Sequence, residues 1–214
     1  MDFKIETNML GFGTAPDIVK PIDLGLPSGT KWANANLTMD NCGRNKVGDK
    51  FSWGETFPKE EFNKETYVSN CEPDSHLTGF YARFRDIGDE KDRLLQQYDA
   101  AAELWKGKWR IPSLEQWKEL KFWCEMTSIR AGRYGFLRFT SKINSNFIII
   151  PKAEWTQIEG GKLAKYTDGY WSRTYALKDL AWCFDVNDWY LNFSCCYAGK
   201  CIRPIWEEDA EYIE

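Results

Sequence analysis

The sequence has few of the residues that metal-dependent and nucleophilic enzymes use. Its 214 residues include a single histidine, His76, so neither a Ser/His/Asp set nor a histidine-based metal site can be assembled. The seven cysteines contain no Cys-x-x-Cys pair, the usual spacing of zinc ligands. Their odd number and irregular spacing also argue against a complete disulfide framework. We therefore expect no catalytic residue, no metal and no cofactor.

Long apolar runs and basic clusters are also missing. The longest strongly apolar run, Phe147 to Ile150, ends at Pro151, far short of the roughly 20 residues of a membrane helix. The net charge is -4, and no cluster of Lys and Arg forms the basic patch that would bind the phosphates of a nucleic acid. Met1 to Leu10 lacks the apolar segment of a secretory signal. The sequence thus predicts a soluble chain that neither inserts into membranes nor binds nucleic acid; if it is exported, its leader has been removed.

Aromatic residues, in contrast, are abundant. The chain has 11 Trp, 13 Phe and 10 Tyr, and such side chains dominate the energetics of cores and interfaces. A chain of this length can bury one large core without needing disulfides or metal ions to stabilise it. We expect a flexible lead-in over residues 1–18, one domain over residues 19–206 and an acidic tail over residues 207–214.

Two amphipathic helices are predicted near the middle of the chain. From residue 92 to residue 106, apolar residues recur with helical spacing, and Gly107 ends the pattern. Ser113 and Gln116 form a capping box that begins a second helix, over residues 113–124. Cys124 lies on the inner face of that helix, where it acts as a small hydrophobe.

Short strands surround the helices. Val19 to Leu24 and Lys31 to Ala33 are predicted strands, and Tyr134 to Ser141 alternates before a turn into Phe147 to Ile150. Residues 57–91 are charged and irregular, so we assign them to loops with one short element at most. Within them, Glu72-Pro73-Asp74 resembles a Glu-Pro-Asn calcium motif, but a lone tripeptide is interpreted as a loop. Helices followed by antiparallel strands give the α+β class.

The stretch over residues 169–205, here called the cassette, is the candidate binding region. Trp182, Phe184 and Val186 alternate with Cys183 and Asp185, so we expect the first three to face the core and the other two to face solvent.

After a turn at Asn187-Asp188, Trp189, Leu191 and Phe193 repeat the inward pattern, and Tyr190 and Asn192 face outward. Tyr190 to Ala198 is uncharged. It suits either a partly buried hairpin end or a surface in which Tyr, Ser and Asn make adaptable contacts.

Several short strings, spread over residues 23–205, together resemble one family. They are Asp23 to Ala33, Phe51 to Glu55, Tyr98 to Ala101, Trp109 to Ser113, Thr140 to Lys142, Tyr170 to Ser172 and Ile202 to Pro204. The chain resembles the Fibrobacter succinogenes major paralogous domain, which is common in gut bacteria and their phages. That family is similar to the C-type lectin fold of formylglycine-generating enzymes and of the variable proteins of diversity-generating retroelements. The resemblance implies a C-type lectin-like fold, with two helices packed on short antiparallel sheets and long irregular loops.

The similarity to variable proteins gives the cassette a specific interpretation. In such proteins, mutagenesis at template adenines turns AAY codons for Asn into many others, but never into codons for Lys, Glu, Gln, Met or Trp. None of these five residues occurs from Tyr190 to Ala198, and Trp171, Trp182 and Trp189 fall where fixed scaffold is expected.

The crowded cysteines fit the same scheme. Cys183, Cys195 and Cys196 would be outcomes of diversification, whereas Cys201 would belong to the scaffold. The predicted variable, ligand-binding residues are Tyr175, Leu177, Asp179, Cys183, Asp185, Asn187, Asp188, Tyr190, Asn192, Ser194, Cys195, Cys196, Tyr197 and Ala198.

Two functions of different classes follow. The favoured one is a non-enzymatic module that binds a protein or glycan, on a phage virion or a bacterial cell surface. The alternative is a copper- or thiol-dependent oxidase resembling the formylglycine-generating enzymes, with Cys195, Cys196 and Cys201 as its thiols. Adjacent strand residues point to opposite faces, so Cys195 and Cys196 would converge poorly on one metal or substrate.

Overall fold

The computed structural model describes residues 18–39, 47–67, 87–131, 134–152, 156–159, 162–165 and 169–208. Within these ranges the chain has the predicted α+β architecture, with short antiparallel sheets and two α-helices. The described helices are too short for any of them to cross a membrane.

One four-stranded sheet joins the two ends of the described chain. Its strands are β1 (Pro21–Asp23), β2 (Lys31–Ala33), β3 (Trp109–Arg110) and β12 (Ile205–Trp206), in the order β1-β2-β12-β3. Ile205 lies opposite Trp32 of β2 and Arg110 of β3. The predicted pairing of N- and C-terminal strands is confirmed.

The first predicted helix is shorter than expected. A 3-10 turn (Gln96–Tyr98) precedes α1 (Ala100–Trp105), and Asp99 caps α1 by accepting from the backbone N–H groups of Ala101 and Ala102. The expected start at residue 92 is wrong, because the Leu94 backbone N–H donates to the carbonyl of Arg173 at 2.9 Å. Leu94 is buried as predicted, but by pairing with a strand and not on a helix face.

The second helix begins where its capping box predicts. Helix α2 (Leu114–Trp123) follows Ser113, whose hydroxyl accepts from the Gln116 backbone while the Gln116 side chain accepts from the Ser113 backbone. Cys124 is buried, as expected, but it caps the end of α2 in an extended conformation and does not lie on the helix face.

A second sheet begins directly after α2. Its order is β4 (Cys124–Ala131), β5 (Tyr134–Ser141) and β6 (Phe147–Lys152). The β5–β6 pair confirms the predicted hairpin, whereas β4 was not predicted. Leu137 and Phe139 are buried as the alternation requires.

The remaining strands form two further sheets. Strands β7 (Thr156–Glu159) and β8 (Lys162–Lys165) pair with each other. Strands β9 (Gly169–Leu177), β10 (Leu180–Asp185) and β11 (Tyr190–Cys195) form the cassette sheet, in the order β11-β10-β9.

The core consists of two aromatic clusters. Trp117 of α2 stacks on Phe184 of β10, with ring centroids 5.0 Å apart, and meets the edge of Trp32 at 4.7 Å. The other cluster contains Trp53 and Trp171. Because Phe184 and Cys183 are neighbours in β10 but belong to different clusters, the two clusters meet across this strand.

The start of the predicted acidic tail packs onto the domain. The Glu207 carboxylate accepts from the Arg173 guanidinium at 2.7 Å and from the Gln116 amide at 3.1 Å. Burial alone would raise the pKa of Glu207, but the Arg173 charge and these hydrogen bonds outweigh it, so the pKa lies below the ordinary 4.5. Glu208 pairs with Lys31 at 2.7 Å. Predicted tail residues 209–214 and most of the predicted lead-in lie outside the described residues.

Candidate ligand-binding surface

The cassette hairpin forms as its alternation predicts. Strands β10 and β11 pair antiparallel, with Trp182 opposite Phe193. At the turn, the Asp185 carboxylate accepts from the backbone N–H groups of Asn187 at 2.9 Å and Asp188 at 3.2 Å. An aspartate that binds the amides two and three residues onward fixes a tight turn. The predicted turn at Asn187-Asp188 is confirmed, and its geometry is held by Asp185.

The expectation that Cys183 and Asp185 face solvent is wrong. These residues are 3% and 5% exposed, because β10 is the central strand and the protein packs on both of its faces. Phe184 packs against Trp117 on one face, and Cys183 lies opposite Trp171 in the core on the other. A thiol in such a place behaves as a small hydrophobe. Alternation therefore located the strand correctly but did not reveal that both faces are covered.

Strand β11 is much less covered than β10. Phe193, predicted to face the core, is 45% exposed, and its partner Trp182 is only half-buried. Their rings meet edge to face at 5.9 Å. Helix α2 covers this face of the sheet at Phe184, and the Trp182–Phe193 pair lies further along the strands. The inward prediction is thus correct for Phe184 and wrong for Phe193.

Of the other positions predicted in and beside β11, the outward Tyr190 is exposed and the inward ones are only half-buried. Tyr190 is 42% exposed, as predicted, and its phenol oxygen accepts from the Asn192 amide at 3.2 Å. Trp189 and Leu191 are half-buried at the margin of the second core cluster. Strand β11 therefore offers aromatic and polar side chains to solvent on both sides of the sheet.

The predicted binding residues separate clearly by exposure. Those that are exposed or half-buried run along β11, the turns before and after it and the β9–β10 turn: Leu177, Asp179, Asn187, Asp188, Tyr190, Asn192, Ser194, Cys195, Tyr197 and Ala198. We call this set the β11 surface. The buried ones are Tyr175, Cys183, Asp185 and Cys196. Because the buried four line the core, they hold the surface in place and cannot contact a ligand directly.

Part of the predicted loop over residues 57–91 flanks one end of the β11 surface. The Lys64 ammonium lies 5.9 Å from the ring centroid of Tyr197. Phe62 packs so closely against Gly199 that an added Cβ would lie 2.5 Å from its ring. Residues 57–67 contain neither a helix nor a strand, as predicted, but they contribute a rim that was not predicted. The only sequence signal for it is Phe62 and Tyr67 among charged neighbours.

The end of β11 is fixed from beneath by the chain around Trp53. The Trp53 backbone N–H donates to the Cys196 carbonyl at 2.8 Å, and the Ser52 hydroxyl donates to the Tyr197 carbonyl at 3.3 Å. A hydrogen bond with the Cys195 side chain raises the pKa of the Tyr197 phenol. Tyr197 is therefore a neutral hydrogen-bonding group at physiological pH.

The buried thiols have the properties of structural residues. Burial raises the pKa of Cys124 to about 11 and also raises the pKa values of Cys183 and Cys196. The thiolate is the nucleophile and metal ligand, so these protonated thiols are poorly reactive. Cys201, expected in the scaffold, is 2% exposed. Cys42, Cys71 and the Glu72-Pro73-Asp74 tripeptide lie outside the described residues, and within those described no three His, Cys, Asp or Glu side chains gather into a metal site.

Residues from the strings that carry the family resemblance meet in the interior. The Trp53 indole donates to the carbonyl of Ser172 at 2.8 Å, and the Trp171 indole donates to that of Phe51 at 2.7 Å. The Arg203 guanidinium donates to the carbonyl of Ala33 at 3.0 Å. These contacts join strings that are more than a hundred residues apart in sequence, so the strings act as scaffold beneath the β11 surface.

Asp99 connects two more of these strings. Besides capping α1, its carboxylate accepts from the Ile111 backbone N–H at 2.9 Å. Burial raises its pKa, although the neighbouring charges of Arg173 and Arg110 oppose this effect.

Comparisons with protein-family models, curated proteins and solved structures gave no match to this chain.

Proposed function

We propose that this chain is a non-enzymatic ligand-binding module that presents the β11 surface to a protein or glycan on a cell surface. The observation that carries this proposal is a contrast within one sheet. Strand β10 is buried on both faces, whereas the uncharged strand β11 beside it exposes aromatic and polar side chains. Tyrosine, serine and asparagine supply contact area and adaptable hydrogen bonds at low entropic cost.

We also propose that the domain has a C-type lectin-like fold of the Fibrobacter succinogenes major paralogous type. The convergence of the resemblance strings on one core supports this assignment, because each string provides backbone anchors and buried rings for the others. The pairing of β12 with β2 and β3 supports it as well, since it closes the domain at its two ends.

Diversification of the cassette belongs to the same proposal, with a restriction that burial imposes. Changes at exposed positions of the β11 surface typically shift the free energy of unfolding by less than about 0.5 kcal/mol. Changes at Tyr175, Cys183, Asp185 or Cys196 affect the core, where replacing a large side chain costs several kcal/mol. A retroelement acting here would therefore obtain folded variants chiefly from the exposed positions. A phage tip or a bacterial surface suits such a module.

Two display libraries of equal size test the proposal. One library randomises exposed or half-buried residues, namely Leu177, Asn187, Tyr190 and Asn192. The matched library randomises the buried residues, namely Tyr175, Cys183, Asp185 and Cys196. Protease treatment of displayed cells measures the folded fraction, which we expect to be high in the first library and low in the second.

Binding is then selected from the folded members of the first library against a purified unrelated protein and against an array of immobilised glycans. We expect binders whose substitutions lie on the β11 surface and whose melting temperatures stay near that of the parent chain. Equal protease resistance in the two libraries, or a folded first library without any binder, would refute a diversified binding surface.

A further inference from the structure

Strand β11 is an open sheet edge within the part of the chain that the structure describes. Among the strands of the described ranges it is the outer strand of the cassette sheet, paired with β10 on one side. Such an edge presents a row of backbone donors and acceptors that can pair with another strand. The side of β11 away from β10 is therefore the part of this surface with the most directional bonding capacity.

The direction of the β11 amides follows from two contacts. The Cys196 backbone N–H donates to the Asp179 carbonyl, on the side of β10, at 2.7 Å. The Phe193 backbone N–H donates to the Asn192 side-chain oxygen at 2.9 Å instead of to β10. Since amides alternate in direction along a strand, those of Leu191, Phe193 and Cys195 point away from the sheet. The Asn192 side chain covers one of them in the isolated chain.

This edge lacks the features that normally prevent strand pairing. Natural edge strands carry lysine, proline or a bulge, or they are very short. From Trp189 to Ala198 the chain has no charged residue and no proline, and the pairing of all six β11 residues with β10 is regular. The absence of charge matters most for pairing with an identical strand, since two-fold symmetry would bring like charges together.

We propose that β11 pairs antiparallel with β11 of a second copy of this chain, so that the two cassette sheets become one continuous sheet. The register places Phe193 opposite Phe193 of the partner subunit. In that register the outward amides on each strand find carbonyl acceptors, although the Cys195 carbonyl also accepts from the Ala198 backbone N–H at 2.8 Å and would use its second lone pair. Two exposed phenyl rings lie side by side between their Trp182 neighbours. Two-fold symmetric dimers are the commonest oligomers, and an edge strand that matches itself needs no other partner.

The dimer has a consequence that rests on the proposed function. Edge pairing uses the backbone and leaves the side chains on both faces of the sheet accessible. The two-fold axis of an antiparallel pair is perpendicular to the sheet, so Tyr190 and Asn192 of both copies face the same way. A ligand repeated on a cell surface would then meet two sites at once, which raises the effective affinity without new contacts.

Sedimentation velocity of the full chain, from low micromolar to submillimolar concentration, tests the pairing. A strand edge buries little area, so we expect a dimer with a dissociation constant in the micromolar range. Phe193→Pro removes an outward N–H that β10 does not use, and proline is tolerated on edge strands. We expect it to weaken the dimer at least tenfold more than Phe193→Ala, which keeps the amide, while the two variants melt at similar temperatures.

A cross-link tests the register independently of any loss of stability. Leu191→Cys would face the native Cys195 of the partner subunit at the Cα separation that disulfides accept, about 4.4 to 6.8 Å. Within one chain the two residues are about 13 Å apart along the strand, too far to bridge. Mild oxidation should give a covalent dimer that disappears when Cys195→Ser is added.

Three results would overturn the proposal: a wild-type chain that stays monomeric throughout, equal dimerisation of the two Phe193 variants, or no cross-link. Capture of a different protein's strand by β11, with no self-association, would also contradict it. Ligand binding by a monomeric chain would leave the proposed function standing and refute only the dimer.

Discussion

Phe184→Ala and Phe193→Ala form a matched pair of perturbations in the cassette sheet. The two residues lie in neighbouring strands on the same face of the sheet, yet Phe184 is fully buried and Phe193 is 45% exposed. Phe184 is enclosed by Trp117 at 5.0 Å and by Phe139 at 5.7 Å. Phe193 has an edge contact with Trp182 at 5.9 Å.

We expect Phe184→Ala to lower the free energy of unfolding by about 3 to 5 kcal/mol, because it leaves a cavity between packed rings. For a chain of this size that corresponds to a fall in melting temperature of roughly 10 °C. Phe193→Ala removes a ring already half in water, so its cost should be about 1 kcal/mol. A whole domain is typically stable by only about 5 to 15 kcal/mol, so the first variant would be severely weakened.

Urea unfolding followed by tryptophan fluorescence measures both variants, with a thermal scan as a second readout. The monomer should be studied at low concentration, so that any dimer does not add to the apparent stability. If Phe193→Ala cost as much as Phe184→Ala, the assignment of one phenylalanine to the core and the other to the surface would be refuted.

Three further predictions concern the rim, the thiols and the chain end. Gly199→Ala should cost about 1 to 3 kcal/mol in urea unfolding because its methyl group meets the Phe62 ring, and adding Phe62→Ala should recover part of this loss; additive effects would show that the two residues do not touch. Iodoacetamide at neutral pH should modify half-buried Cys195 before buried Cys196, as followed by peptide mass spectrometry, and the reverse order would contradict the assigned exposures. The pKa of Glu207 is lowered on folding, so its contribution to the free energy of unfolding should be complete well above pH 4.5 and lost as the pH falls below that value. Glu207→Gln should flatten the fall in the free energy of unfolding at acid pH. An unchanged dependence of this free energy on pH would count against the ion pair.

The sequence predicted best those features that depend on a few neighbouring residues. The capping box at Ser113 located the start of α2, because its hydrogen bonds join residues three apart. The alternation over β5 and the turn that follows it predicted the hairpin with β6 and the buried face of β5, since that sheet is covered on one side. The turn at Asn187-Asp188 followed from local turn chemistry in the same way.

The errors came from places where contacts with segments distant in sequence override the local pattern. Leu94 fits a helical stripe, but its amide bonds to Arg173, and this pairing displaces the first turns of the predicted helix. The rim formed by Phe62 likewise depends on a glycine more than a hundred residues away. Periodicity reports the preference of one segment and contains no information about such partners.

The sequence by itself thus determined the α+β class, the cassette hairpin of β10 and β11 and the residues that alternate along these two strands. Only the tertiary structure decided which of those residues a ligand can reach. Cys183 and Asn192 are paired opposite each other and both lie at positions predicted to be outward, yet Cys183 is buried and Asn192 is half-exposed. The physical reason is their position in the sheet: a central strand is covered on both faces by whatever packs there, whereas an edge strand is covered only as far as its neighbours extend.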